Sequence, residues 1–158
     1  MKVVILENIR SAYNVGNIIR TADALGWQVR LTWYTPSPLD TQKVVKTSLG
    51  AESNVGIKQF GHTPEAIAFA KEKKLLVVAA EITKDSISLD TLWKDTHDGL
   101  PATAGVAVIF WNEIDGVLES TLKLVNQVVH IPMQGVKESL NVGQTSAIFM
   151  RACNQIYT

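Results

Sequence analysis

Short apolar runs alternate along the chain with segments in which apolar residues recur every three or four positions. The runs predict strands at residues 3–6, 27–33, 54–60, 75–80, 104–110 and 127–131. The helical spacing predicts helices at residues 14–25, 41–49, 63–74, 118–124 and 142–157, with a polar connection at 86–99. Residues 75–80 (LLVVAA) are continuously apolar, which is typical of a strand buried on both faces. This alternation predicts one α/β domain over residues 1–158, with a parallel sheet covered by helices on both faces.

Several residues are suited to helix ends. Asn14 is the predicted N-cap of the first helix, and Gly26 is the predicted residue just beyond its C-terminus. Thr63 is the predicted N-cap of the helix at 63–74, with Pro64 at its first helical position. We therefore expect the first helix to begin close to Asn14.

Composition narrows the class of protein. The chain has 158 residues, 46% hydrophobic and 19% charged, as expected for a globular domain with a substantial core. No apolar run approaches the roughly 18 residues that span a bilayer, so we expect no membrane partner. Cys153 is the single cysteine, which excludes an intrachain disulfide and makes the reducing cytoplasm the default location. The net charge of zero provides no overall attraction to nucleic acid unless the basic residues cluster.

Polar residues and glycines interrupt the pattern in three segments where strands or helices end. These are residues 14–26 (NVGNIIRTADALG), 108–116 (VIFWNEIDG) and 131–141 (IPMQGVKESLN). Polar groups gathered at strand ends form the ligand sites of open α/β sheets. Neither GxGxxG nor GxxxxGK[ST] occurs, so dinucleotide and P-loop sites lack support. The three histidines have no metal-ligand spacing, and we expect no metal.

The first of these segments suits an anion. Asn14, Asn17 and Arg20 are spaced by three residues and would share roughly one face near the start of a helix. Backbone amides at a helix N-terminus attract anions, and a guanidinium can bind phosphate in a bidentate manner. The alternative is an amphipathic helix whose arginine is solvated or ion-paired.

The other two segments also leave alternatives open. Asn112 and Glu113 follow a strand, where they hydrogen-bond a ligand, orient Arg20 or lie in an exposed turn. Ser139 and Asn141 either cap the last helix or contribute to a site. Glu81 ends the strand at 75–80, and it either contacts a ligand or lies solvated in a loop.

The three segments, in this order, resemble the three motifs of the SpoU/TrmH family of RNA ribose 2′-O-methyltransferases, in the SPOUT superfamily. The likeness covers nearly the whole chain, from Met1 to about Tyr157. It is clearest at residues 9–26 (IRSAYNVGNIIRTADALG), at 46–52 (KTSLGAE) and in the IPM…SLN spacing of the third segment. The chain departs from the family at Trp111, where the usual Gly-Asn-Glu has glycine. A residue without Cβ allows the backbone to approach a ligand closely. The indole therefore points away, stacks on the adenine or blocks the pocket.

The resemblance implies further features of fold and partners. It implies a deep C-terminal trefoil knot that binds S-adenosylmethionine, and a homodimer. The exposed face of the last helix would form the dimer contact, with Ile148, Ile156 and Tyr157 as candidates. The substrate would be RNA, with tRNA slightly preferred over rRNA. The first strand begins almost at Met1, so we expect no preceding RNA-binding extension.

The resemblance also implies roles for individual residues. The catalytic residues would be Asn14, Arg20, Glu113, Ser139 and Asn141, with Arg20 either a general base or a stabiliser of phosphate and developing alkoxide. The cofactor would be surrounded by Ala79, Trp111, Ile131, Met133 and Leu140.

Two other functions compete with this one. If Trp111 closes the pocket, the chain would be an inactive knotted RNA-binding module. A flavodoxin-like small-ligand protein is the third possibility, but the sequence lacks a phosphate loop for a flavin.

Overall fold

A computed structural model describes residues 1–92, 104–112, 114 and 116–157. Within these ranges the chain forms one sheet of seven strands with five α-helices and a 3₁₀ turn at Ala51–Ser53. The strands are β1 (Lys2–Glu7), β2 (Gln28–Thr32), β3 (Ile57–Phe60), β4 (Leu76–Ala80), β5 (Ile87–Ser88), β6 (Val106–Trp111) and β7 (Gln127–His130). The helices are α1 (Ala12–Leu25), α2 (Gln42–Ser48), α3 (Thr63–Glu72), α4 (Glu119–Leu122) and α5 (Val142–Cys153).

The sheet has the order β3-β2-β1-β6-β4-β7-β5, and each of its strand pairs is parallel. The parallel α/β prediction is confirmed. In the register of the centre of the sheet, Glu7 lies opposite both Thr32 and Trp111. Because parallel strands run in one direction, their carboxyl ends meet at one edge, and the segments that follow them share that edge.

Side chains alternate between two cores, one on each face of the sheet. One core packs α1, α2 and α5 against strand residues such as Val4, Val78 and Phe110. The other packs α3 against residues such as Val3, Val77 and Ile109. The prediction that helices cover both faces is confirmed. No helix in the described ranges has the length and apolar character needed to cross a membrane.

The ends of α1 differ in part from the prediction. The helix begins at Ala12, and its N-cap is Ser11, whose hydroxyl accepts a hydrogen bond from Asn14 N at 3.3 Å. Asn14 therefore lies inside the helix, where its side chain is available for other contacts. Gly26 ends the helix with φ 71° and ψ 41°, a left-handed conformation that glycine adopts without strain, as predicted.

Other helix and strand boundaries also differ from the prediction. The N-cap of α3 is His62, while Thr63 is already helical and buried, with its hydroxyl 2.9 Å from that of Thr32. β5 lies within the predicted polar connection. Two residues are too few to show a strand pattern, and their pairing is supplied by β7.

Glu7 is a fully buried carboxyl at the carboxyl end of β1. Its Oε1 accepts a hydrogen bond from the hydroxyl of Thr121 in α4 at 2.8 Å, and its Oε2 has no hydrogen-bond partner in the described part of the chain. Burial raises the pKa of Glu7, and the hydroxyls of Thr63 and Thr121 partly offset this effect. Cys153 is also buried, and burial raises the pKa of its thiol to about 12.

Candidate active site

A cavity opens at the carboxyl edge of the sheet, between the ends of β4, β6 and β7 and the start of α5. Its walls include five of the predicted site residues, namely Trp111, Ile131, Met133, Ser139 and Leu140. Ala79 is not among its lining residues, whereas its neighbour Ala80 is. The reason is strand alternation, because the Ala79 side chain faces the α3 side of the sheet and the next residue faces the α5 side.

Trp111 is the last residue of β6, and only 8% of it is exposed. Its side chain packs with Ala79 and Val117 on the face of the sheet opposite α5, and Leu122 and Val125 adjoin this cluster. The indole Nε1 is buried without a hydrogen-bond partner among the residues that the structure describes. The indole therefore points away from α5 and packs against the opposite face of the sheet at the end of β6.

A second, shallower depression lies between α1 and the start of α5. It is lined by Asn14, Asn17 and Arg20 from α1 and by Asn141 from the N-terminus of α5. Asn141 Nδ2 donates a hydrogen bond to Asn14 Oδ1 at 3.3 Å, while Asn141 Oδ1 accepts one from Gly143 N at 2.9 Å and caps α5. Arg20 is exposed. The depression thus offers a cation and several amides to solvent.

Glycine at position 143 leaves room for the side-chain cap of α5. A Cβ at Gly143 would lie 3.1 Å from Asn141 Oδ1, 3.9 Å from Asn17 Cβ and 4.0 Å from Asn14 Oδ1. The contact with the capping oxygen is tighter than ordinary van der Waals distance, so a side chain here would push the cap aside. No sequence pattern singled out this glycine.

Three consecutive residues connect the cavity with the depression. Ser139 and Leu140 line the cavity, and Asn141 lines the depression. Arg20 does not line the cavity, so the structure separates the predicted cofactor residues from the predicted arginine by the turn that enters α5. Glu113 lies outside the described residues.

Asn112 connects two turns, a role that its position after a strand did not predict. Its Nδ2 donates to the carbonyl of Asn8 at 3.3 Å, and its Oδ1 accepts from Ile114 N at 3.0 Å. Asn112 therefore joins the turns that follow β1 and β6, with Asn8 in a left-handed conformation at φ 52°. The described residues contain no group of three or more His, Cys, Asp or Glu side chains placed to hold a metal ion.

Comparison with known proteins assigns the family. The model of the SpoU rRNA Methylase family matches residues 1–151 of the chain. The chain belongs to the SpoU rRNA methylase family. The predicted resemblance is confirmed, and the methyl donor of this SpoU family is S-adenosylmethionine.

Individual relatives extend the comparison. The tRNA (guanosine(18)-2′-O)-methyltransferase of Thermus thermophilus is 30% identical over 148 residues, which cover 93% of this chain and 71% of that protein. The AdoMet-bound rRNA methyltransferase of Sinorhizobium meliloti is 24% identical and superposes with a TM-score of 0.81 over 98% of this chain and 56% of that one. A structure described as giving insights into the 2-OH methylation of C/U34 on tRNA has a TM-score of 0.76 at 23% identity, and 98% of this chain covers 95% of it. The chain therefore has the SpoU fold and is shorter than the first two relatives.

The residues that line the cavity have the chemical character that S-adenosylmethionine requires. Apolar side chains of Phe110, Val129 and Phe149 supply surface for an adenine ring. Glu81 contributes a carboxylate, and Ser139 contributes a hydroxyl. A mostly apolar cavity with a few polar groups fits a nucleoside ligand, and the indole of Trp111 packs on the other face of the sheet.

Proposed function

We propose that this protein transfers a methyl group from S-adenosylmethionine to a ribose 2′-hydroxyl of structured RNA. The observation that carries the proposal is the pairing of the cavity with the depression that contains Arg20, joined through residues 139–141. One compartment would hold the cofactor and the other the RNA. The methyl group would pass between them beside Ser139 and Asn141.

The chemistry requires two groups to be held in line. When bound, S-adenosylmethionine would supply a methyl group on a positively charged sulfur. The ribose oxygen would form a bond to the methyl carbon as the carbon–sulfur bond breaks. The products would be the methylated ribose, S-adenosylhomocysteine and a proton. Holding reactants in such a geometry can lower a barrier by roughly 7–11 kcal/mol. Asn14 and Asn141 are connected to each other, so together they would orient the ribose or Arg20.

Arg20 would bind an RNA phosphate and stabilise negative charge that develops on the ribose oxygen. Its exposed position in the depression supports this role. A guanidinium keeps its proton in proteins, which disfavours Arg20 as the general base. The proton of the hydroxyl would pass to solvent. Ser139 would hydrogen-bond the reacting groups from the cavity side, and Glu113 would hold the network, as the family resemblance implies.

We further propose that the substrate is tRNA rather than rRNA. The relative from Thermus thermophilus supports this choice, while the rRNA methyltransferase of Sinorhizobium meliloti supports the alternative. Either substrate would place the protein in the cytoplasm.

A homodimer and a trefoil knot also belong to this proposal. Tyr13 on α1 is 66% exposed and Ile148 on α5 is 41% exposed, and exposed apolar groups of this size favour a contact between copies through these helices. Ile156 and Tyr157 are only partly exposed, and Tyr157 packs against the core, which leaves Ile148 as the stronger candidate. The knot is supported by the chain path after β7, where residues 131–141 pass the ends of β4 and β6 before α5 packs on α1.

Methylation of RNA with tritiated S-adenosylmethionine tests the function. We expect wild-type protein to label RNA at a ribose 2′-oxygen, and Arg20→Ala to reduce labelling by about 100-fold or more. S-adenosylhomocysteine should bind the variant as it binds wild type, because Arg20 lies outside the cavity. Lys123→Ala is the matched control, since Lys123 is an exposed cation paired with Glu119 on α4.

The outcomes separate the candidate functions. Labelling that persists in Arg20→Ala would remove Arg20 from the mechanism. Wild-type protein that binds RNA without binding S-adenosylhomocysteine would establish the inactive RNA-binding module instead.

A further inference from the structure

Glu81 follows β4 and contributes the only carboxylate among the described residues that line the cavity. We propose that this carboxylate binds the vicinal 2′- and 3′-hydroxyls of the cofactor's own ribose. The assignment rests on the proposed function in one respect, namely that the cavity holds S-adenosylmethionine. It adds a specificity-determining residue that recognises the sugar of the donor.

The side chain of Glu81 is held from two segments of the chain. Oε1 accepts a hydrogen bond from Ile82 N at 2.8 Å, and Oε2 accepts one from Val117 N at 2.9 Å. The backbone is held as well, because Glu81 N donates to Val129 O at 3.0 Å. A carboxylate anchored at both oxygens loses little further conformational freedom when it binds a ligand.

Glycine at position 116 makes the second of these anchors possible. A Cβ on Gly116 would lie 2.9 Å from Glu81 Oε2, which is closer than Cβ atoms approach other atoms. Gly116 also has φ 68°, a conformation that glycine adopts without strain. The turn after β6 is therefore shaped to receive this carboxylate.

The two carboxylate oxygens retain acceptor capacity. An ionised carboxylate offers about four lone-pair sites, and the two backbone N–H groups use two of them. In the described part of the chain, no Lys, Arg or His side chain forms an ion pair with Glu81. Among the described lining residues the other titratable group is His130, whose Nδ1 lies 3.0 Å from the hydroxyl of Ser86. The half-buried carboxylate thus lacks a cationic partner among the residues that the structure describes.

Vicinal hydroxyls match this arrangement better than the sulfonium does. Two adjacent hydroxyl donors can each reach one oxygen, and acidic side chains recognise ribose hydroxyls in this way in nucleotide sites. The transferred methyl must face the depression that contains Arg20, which places the sulfonium near Ser139 and Leu140 at the α5 wall. Glu81 lines the cavity from the end of β4, a different element, and the ribose would lie there.

Calorimetric titration of the wild-type protein and Glu81→Gln with S-adenosylhomocysteine and its 2′-deoxy and 3′-deoxy analogues tests the proposal without RNA. We expect Glu81→Gln to weaken the binding of S-adenosylhomocysteine about 10- to 100-fold, which is the typical loss when a hydrogen bond to a charged group is removed. The loss of affinity caused by Glu81→Gln should be smaller for either deoxy analogue, because each analogue lacks one of the hydroxyl donors. Glu65→Gln, which removes an exposed carboxylate from the first turn of α3, should bind all three ligands like wild type.

Other outcomes overturn the assignment. Equal weakening of all three ligands would mean that Glu81 only supports the turn at residues 116–117, and thermal unfolding of Glu81→Gln would show the same defect. If Glu81→Gln weakens the binding of S-adenosylmethionine but not of neutral S-adenosylhomocysteine, the sulfonium would lie beside Glu81. Wild-type protein that binds none of these ligands would overturn the proposed function itself.

Discussion

Asn14 and Asn141 are separated by 127 positions in the chain, yet their side chains meet, with Asn141 Nδ2 donating to Asn14 Oδ1 at 3.3 Å. Asn14 is almost fully buried within α1, and Asn141 caps α5. The contact fastens the helix that carries Arg20 to the turn that lines the cavity. Two compartments that would hold separate substrates are thereby placed in a fixed relation.

A double-mutant cycle measures this connection. We expect Asn14→Ala and Asn141→Ala to destabilise the protein non-additively, with an interaction free energy of about 0.5–1.5 kcal/mol for the lost side-chain hydrogen bond. Asn141→Ala should cost about 1 kcal/mol more on its own, because it also removes the cap of α5. Urea unfolding of the two single variants and the double variant provides the free energies of unfolding.

Asn154 supplies the matched control for the cycle. It also links the two helices, since its Oδ1 accepts from Trp27 Nε1 at 2.8 Å and its Nδ2 donates to Leu25 O at 2.9 Å. This contact lies near the opposite end of α1, so Asn14→Ala and Asn154→Ala should be additive. Additivity between Asn14→Ala and Asn141→Ala as well would show that their hydrogen bond carries no coupling.

Substitution of Trp111 should affect stability more than cofactor binding. Trp111→Gly removes a buried indole and should cost about 3–5 kcal/mol in the free energy of unfolding, because a cavity remains beneath the sheet. Trp111→Phe should cost much less, since the indole N–H forms no hydrogen bond within the described residues. Both variants should bind S-adenosylhomocysteine like wild type. A large gain in affinity in Trp111→Gly would show that the indole obstructs the cavity, and a large loss in Trp111→Phe would show that the indole contacts the adenine.

The buried carboxyl of Glu7 should make stability depend on pH. Its folded pKa is raised above the ordinary value of 4.5, so the folded state binds the proton more tightly than the unfolded state does. The stabilising contribution of the protonated group is present below pH 4.5 and is lost as the pH rises through the raised folded pKa. Glu7→Gln should therefore be more stable than wild type at neutral pH, with a difference that shrinks as the pH falls towards 4.5.

Urea unfolding at several pH values between 4.5 and 8 checks this prediction. Glu65→Gln, which removes an exposed carboxylate from α3, is the matched control. A constant difference between Glu7→Gln and wild type across the range would mean that Glu7 titrates alike in the folded and unfolded states.

The strands and helices could be predicted because they depend on local patterns. The continuous apolar run at β4 and the helical spacing of α1 are each contained in a short window, and burial in a parallel sheet follows from them. Boundaries were less predictable. Ser11 and Asn14 are both good caps, and the choice between them depends on which side chain the rest of the structure uses. The motif residues indicated the family, since their order and spacing are recorded in the chain itself.

The tertiary structure decided how these residues are arranged. Strand alternation directed the indole of Trp111 to the side of the sheet away from α5, which the sequence left open because the face depends on which helix covers it. Packing of α5 on α1 brought Asn141 to Asn14, and the sheet order brought the turn at 116–117 to Glu81. Contacts between residues far apart in sequence depend on chain crossings that no local window contains. For this protein, the sequence by itself therefore determined the elements and the family motifs, and the tertiary structure alone decided which of those residues share a cavity.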